Sequence, residues 1–370
     1  MSDDTPYEPD RVAGVPHPRH TERLFGHGAA ERAVLDAWAD DRMHHAWLLT
    51  GPRGIGKATL ACRIARFLIA APERGGMFGG PDSLYLPMDH PVVARTRALS
   101  EPALFLMRPT LSPTGTERRD ITVDVARALR DFLHLSATDG GQRVVIVDSA
   151  DQLNVQAANA ILKLVEEPPA RTTFLLVAHA PTRLLPTIRS RCRTLALHPL
   201  NAADLDQAIA QAGLDPSIEA TALTQLASGS VGEAARLLQE DGPSLYADLV
   251  ALVSGAPNMD RQRLLKLTNG LAGNAGRTRM DALSRLIDLL LSRLARQGAG
   301  LPPDAEAARG EAEMLARLAP HPAAGRIWAT LAQEVSARIA HGRAVNLDPS
   351  ALVLDTGLKL NDTGRAVLRG

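Results

Sequence analysis

Between the apolar run Ala46 to Thr50 and a helical pattern that begins at Leu60 stands Gly-Pro-Arg-Gly-Ile-Gly-Lys-Ala-Thr, residues 51 to 59. A polyphosphate carries dense negative charge, so a loop that holds one needs glycines that let backbone N–H groups turn inward. Gly51, Gly54 and Gly56 supply that freedom, the helix that follows adds its positive dipole end, and Lys57 adds a full charge. The phosphate-loop pattern G-x-x-x-x-G-K-[ST] closes with a hydroxyl that coordinates Mg²⁺. Here that place is taken by Ala58, and the hydroxyl of Thr59, one residue on, points about 100° away around a helix. The stretch predicts a cradle that could hold ATP or ADP weakly and that lacks one ligand needed for metal-assisted hydrolysis.

A second group belongs with it. Val144 to Val147 is an uninterrupted β-branched run that ends in Asp148, which predicts a buried parallel strand with a carboxylate at its C-terminal end, the edge where open α/β sheets bind ligands. In many P-loop ATPases this aspartate helps to hold Mg²⁺ and a carboxylate beside it orients the attacking water. The residue beside Asp148 is Ser149, which is neither a base nor a charge.

The elements that must position these residues can be read in order. Residues 1 to 21 are acidic, then rich in Pro and His without periodicity, and predict a flexible arm. Strands are expected at 46–50, 103–107, 144–147, 173–178 and 194–197, with helices at 30–40, 60–70, 123–135 and after the cap Asn154, the last stopped by Pro168-Pro169. Strands alternating with helices imply a parallel sheet covered on both faces. Residues 72 to 91 hold Gly and Pro without periodicity and predict a loop or small insertion. From Ala202 onward the β-branched runs vanish and Leu recurs at helical spacing. A break at 241–244, rich in Asp, Gly, Pro and Ser, suggests a boundary before a C-terminal helical bundle.

Composition narrows the partners. Lys plus Arg equals Asp plus Glu at 41 each, so no overall field draws the chain onto nucleic acid or membrane, and any DNA contact must be local or shared with other subunits. Two cysteines, Cys62 and Cys192, are too few for a disulfide framework or a Cys₄ site, and a reducing cytoplasm is expected. No run approaches the length of about 18 apolar residues that a membrane helix requires.

Three segments carry a resemblance: Gly-Gln-Arg-Val-Val-Ile-Val-Asp at 141–148, Ala-Asn-Ala-Ile-Leu-Lys-Leu-Val-Glu-Glu-Pro-Pro at 158–169, and Ile-Arg-Ser-Arg-Cys at 188–192. Together they resemble the bacterial clamp-loader branch of the AAA+ proteins, which serves DNA polymerase III. The resemblance runs from about residue 22 to 240, and beyond that only helical character agrees. It implies an α/β AAA+ P-loop domain with a five-stranded parallel sheet (22–200), a small helical lid (201–243) and a C-terminal helical collar (244–370). It also implies partners: the tau/gamma and delta clamp-loader subunits, and, through the complex, the sliding clamp and primed DNA.

The resemblance gives Arg191, in Ser-Arg-Cys, a role in trans: an arginine finger on the γ-phosphate held by a neighbouring subunit. A guanidinium suits this, because it is always charged and matches phosphate oxygens with a fixed fork. Read without the surrounding match, Arg189, Arg191 and Arg193 are an ordinary basic turn before a strand.

Departures from the family pattern matter as much. Gly232 stands where motor subunits carry a sensor arginine, and His179 where they carry the first sensor, Asn or Thr. With Ala58 and Ser149, four parts of a hydrolytic site are altered while the finger is kept. The expectation is a subunit that assists a neighbour's site without turning over its own. Many relatives also carry a four-cysteine zinc module after the phosphate-loop helix. Residues 72 to 91 have no Cys and only His90, so no zinc is expected. Three other readings stay open: an active tau/gamma-like ATPase, a small-molecule phosphotransferase, and a scaffold that binds no nucleotide.

Overall fold

The computed structural model describes residues 8, 10–70, 81–112, 114–116, 118, 120–134, 141–215, 220–271 and 273–369. Part of the expected arm (1–7 and 9) and part of the segment expected to lack zinc (72–80) lie outside the described residues. The chain divides into two compact units, one of residues 1–214 with 229–233, the other of 215–228 with 234–370.

The first unit is an α/β domain. Its strands are β1 (Ala46–Thr50), β2 (Leu104–Met107), β3 (Arg143–Asp148), β4 (Thr172–Ala178) and β5 (Arg193–Ala196), all parallel in the order β2-β3-β4-β1-β5. Its helices are α1 (Gly28–Ala39), α2 (Lys57–Ala70), α3 (Pro91–Arg97), α4 (Val123–His134), α5 (Val155–Glu166), α6 (Pro186–Arg189) and α7 (Ala202–Gln211). Alternate strand residues face opposite sides of a sheet. On one face Trp47, Leu49, Val144, Ile146, Leu175 and Val177 pack with Val34, Trp38, Leu60, Ile64 and Phe67 of α1 and α2. On the other Leu48, Val145, Val147, Phe174 and Leu176 pack with Leu129 of α4 and Ile161 of α5. Burial on both faces is why these strands read as unbroken apolar runs.

Two sequence expectations change here. The expected loop runs into α3 at residue 91, a short helix started by Pro91 at its first position and by the His90 ring, which accepts from the Val92 N–H. The arm is also not loose from Asp10 onward. His17 and Arg19 are buried, His17 Nε2 lies 2.8 Å from Asp10 Oδ2, and Arg108 Nη1 lies 2.7 Å from Asp10 Oδ1. Arg19 pairs with Glu8 and donates from Nε to the Arg97 carbonyl at 2.9 Å. Buried charges persist only when paired, and Arg97 and Arg108 lie far along the chain, where no local pattern could reveal them.

The second unit is helical: α8 (Ala220–Ala227), most of α9 (Val231–Gln239), α10 (Gly242–Val253), α11 (Arg261–Leu267), α12 (Gly273–Gly298), α13 (Glu311–Leu318), α14 (Pro322–Ala344) and α15 (Pro349–Arg369). The two long helices α12 and α14 approach closely where Gly298 meets Gly325; a Cβ on Gly298 would stand 2.5 Å from the Gly325 Cα. None of the described helices is long and apolar enough to cross a membrane.

Candidate functional site: an altered phosphate loop and an exposed arginine

Strand order assembles the first site. Because β4 lies between β3 and β1, the C-terminal ends of these three strands are neighbours. They deliver Asp148 and Ser149 from β3, His179 from just after β4, and the loop 51–56 from β1. Gly51, Gly54 and Gly56 have φ of +136°, +73° and +108°, values that favour glycine, and α2 starts at Lys57 as the phosphate-loop pattern requires.

The loop is nevertheless closed on itself. The Lys57 side chain is buried and its Nζ donates to the Gly51 carbonyl at 2.6 Å and to the Pro52 carbonyl. Burial pulls its pKa from 10.5 down to about 8, against the attraction of Asp148 and Asp151. Across the loop lies the segment 229–233. Ser230 Oγ donates to the Arg53 carbonyl at 2.9 Å and accepts from the Glu233 N–H at 3.1 Å, so one hydroxyl caps α9 and tethers the loop. The Gly232 N–H donates to the Gly54 carbonyl at 3.2 Å. A Cβ on Gly232 would stand 2.9 Å from the Gly54 Cα. The lack of a side chain at Gly232 lets the start of α9 lie against the phosphate loop.

This contact gives a stability prediction. Gly54→Ala combines a left-handed φ with a Cβ placed 2.4 Å from Ser230 Oγ and 2.9 Å from backbone atoms of Gly232. Strain of this kind costs about 1–3 kcal/mol. Gly115→Ala, at φ +78° with none of the described residues within 4 Å of the new Cβ, isolates the backbone term. Urea unfolding should show the Gly54 variant clearly less stable than the Gly115 variant. Equal losses would mean that the 229–233 segment does not bear on the loop.

Ser149 and His179, from the ends of two adjacent strands, are joined. Ser149 Oγ lies 2.9 Å from His179 Nε2 and donates to Asp148 Oδ1 at 3.3 Å, while Asp151 Oδ1 accepts from the His179 backbone N–H at 2.9 Å. Burial pushes the Asp148 carboxyl from 3.8 up to about 7, aided by the charge of Asp10, while the Ser149 hydrogen bond and Lys57 oppose the shift. Cys62 is buried on α2, and burial holds its thiol neutral with a pKa near 12, as suits a small apolar side chain.

This donor set bears on ligand chemistry. Left-handed glycines ahead of a helix N-terminus, with a lysine, fit a phosphate group, and Lys57 would have to exchange two carbonyls for it. The set lacks one side-chain ligand for a nucleotide-bound Mg²⁺: position 58 has no side-chain oxygen. Among the described residues no cluster of His, Cys, Asp and Glu could hold a metal ion.

Arg191 makes no bond to this group of residues. It follows α6, where Nη1 donates to the Thr187 carbonyl at 3.0 Å and Nη2 lies 2.9 Å from Glu166 Oε1; its side chain is 40% exposed. Its neighbours differ from it: Arg189 is exposed on α6, and the Arg193 guanidinium lies over the Trp47 ring at 4.8 Å. The residues missed from sequence are Ser230, which touches the loop from 177 positions away, together with Asp10 and Arg108, which press on Asp148, and Glu166.

Comparison with known proteins agrees with the motifs. A family model described as DNA polymerase III, delta subunit, matches residues 27–201. The DNA polymerase III subunit delta' of Pseudomonas aeruginosa is 35% identical over 222 residues, 60% of this chain and 62% of that protein. The chain thus spans less than two thirds of that relative's length. The subunit delta' of Yersinia pestis is 32% identical over 74% of this chain and 76% of that protein. The Escherichia coli subunit delta' is 31% identical over 64% and 67%. With the five-stranded parallel sheet, the phosphate loop and the Ser-Arg-Cys turn all in place, identity at this level over three quarters of a relative shows that the chain belongs to the DNA polymerase III subunit delta' family.

Proposed function

We propose that this chain is a clamp-loader subunit of DNA polymerase III that does not hydrolyse ATP itself and presents Arg191 to ATP held by an adjacent subunit. In this reading it assembles with tau/gamma and delta subunits and, through the complex, meets the sliding clamp and primed DNA. The observation that carries it is an asymmetry. The chain's own site has no hydroxyl at Ala58, a serine bonded to His179 in place of a catalytic carboxylate, and a lysine turned onto loop carbonyls. Arg191, in contrast, is exposed and still has N–H groups to offer.

The purified subunit is expected to show no ATP turnover above background, and calorimetry with ATP or ADP, with and without Mg²⁺, should show weak binding that Mg²⁺ does not strengthen. Robust turnover by the isolated chain would favour a tau/gamma-like motor instead. One observation supports a second reading, that of a scaffold which takes no nucleotide: the Gly54–Gly232 contact and the Lys57 carbonyl bonds satisfy the loop from within. No heat of binding at millimolar nucleotide would decide for it, and Arg191 would keep its role in either case.

A further inference from the structure

The segment Glu166-Glu-Pro-Pro169 closes α5, and nothing in the function proposed above uses it. Its first residue breaks a local rule. A carboxylate at the C-terminal end of a helix meets the negative end of the dipole, typically at a cost of about 0.3–1 kcal/mol. Its ion pair with Arg191 does little to offset that for the fold: the two side chains are 37% and 40% exposed, and pairs of this kind contribute about 0–1 kcal/mol. A locally unfavourable residue without an evident stability gain points to function.

The geometry shows what the residue does. A guanidinium has five N–H bonds. In Arg191 one on Nη1 is taken by the Thr187 carbonyl and Nη2 lies 2.9 Å from Glu166 Oε1 as an ion pair, which leaves N–H groups for another ligand. The two holds come from different elements, α5 and α6. Pro168 and Pro169 follow at once and restrict the backbone behind the carboxylate. An arginine free to sample its rotamers carries about 2 kcal/mol of side-chain entropy, part of which is lost when it meets a phosphate. Ordering it beforehand lowers that cost in the complex.

We propose that Glu166 is the positioning residue of Arg191, fixing its guanidinium so that its remaining N–H groups can meet the neighbouring subunit's nucleotide. This rests on Arg191 acting in trans, as proposed above. The test uses complete clamp-loader complexes assembled with wild-type, Glu166→Ala, Glu166→Gln, Arg191→Ala or doubly substituted subunits, in which clamp- and DNA-stimulated ATP turnover is followed against ATP concentration. Glu166→Ala is expected to lower kcat about threefold with KM for ATP changed less than about twofold, since a misplaced finger costs the transition state more than the ground state. Glu166→Gln, which keeps an acceptor oxygen of the same reach beside Nη2, should keep at least about half the wild-type rate. In the Arg191→Ala background Glu166→Ala should have no further effect, the signature of two residues acting as one unit. The melting temperature of the Glu166→Ala subunit should match wild type.

A normal rate for Glu166→Ala alongside an impaired Arg191→Ala would overturn the positioning role and leave the finger intact. Losses that multiply in the double variant, or a glutamine variant no better than alanine, would also overturn it. If Arg191→Ala itself turns over normally, the finger reading fails first and this proposal falls with it.

Discussion

Arg191→Ala in an otherwise complete clamp loader is expected to leave assembly intact and to lower clamp- and DNA-stimulated ATP turnover, and clamp loading with it, by about an order of magnitude. Fingers supplied in trans contribute about 10³ to 10⁵ in rate in GTPases. The loss here is expected to be smaller, because other sites of the ring would keep their own fingers. The side chain is half-exposed and, among the described residues, pairs with Glu166 and bonds the Thr187 carbonyl, so its removal opens no cavity and the subunit should fold normally. Arg191→Lys should restore little, since a point charge cannot reproduce a planar fork held from two sides. Arg189→Ala is the clean control. Arg193→Ala is a poorer one, because its guanidinium stacks over Trp47 beside β5 and its loss touches the sheet.

The largest stability effect is expected at Glu311→Ala, in the helical unit. Glu311 is fully buried at the start of α13, where its charge suits the helix dipole, and its carboxylate gathers three donors. Oε1 accepts from the Tyr246 hydroxyl and, at 2.7 Å, from Arg293 Nη1; Oε2 accepts from the Ala307 N–H at 2.7 Å. Arg293 Nη2 goes on to the Gln225 carbonyl at 2.8 Å, so a single node ties α8, α10, α12 and α13 together. Burial, with the Glu311 carboxylate adding to it, raises the Tyr246 phenol far above its ordinary value and keeps it a donor. Removing the carboxylate strands a buried guanidinium, a change that costs about 3–5 kcal/mol, against a total of about 5–15 kcal/mol for a typical protein. Urea unfolding followed by circular dichroism should show the loss, while Glu313→Ala on the exposed side of the same helix should fall within about 0.5 kcal/mol of wild type. A Glu311 variant as stable as wild type would mean that the node is dispensable.

These two residues also show where the sequence was legible. Strands β1, β3 and β4 could be placed within one or two residues because burial on both faces leaves an unbroken apolar run, and α5 could be placed from its cap, Asn154, which accepts from the Ala157 N–H at 2.8 Å. The phosphate loop, Asp148 and Arg191 could be found because each lies in a short contiguous motif. What escaped depends on partners far apart in the chain. Asp10 and His17 look like a solvated tail until Arg108 pairs with Asp10, and Glu311 looks like a surface residue until Arg293 and Tyr246 enclose it. Ser230 and Glu233 do carry a local signal, the S-x-x-E spacing of a capping box, which would have started α9 before Gly232 and placed that glycine within its first turn. That the same hydroxyl holds the Arg53 carbonyl has no trace in the sequence.

If this subunit contributes to a neighbour's ATP site and not to one of its own, its lysine and its arginine should differ in their effect on the assembled complex. Steady-state ATP turnover, stimulated by clamp and primed DNA, would be measured for two complete complexes, one carrying Lys57→Met in this subunit and the other Arg191→Ala. Wild-type turnover is expected for the Lys57 complex and about tenfold lower turnover for the Arg191 complex. Turnover abolished by Lys57→Met and untouched by Arg191→Ala would contradict this.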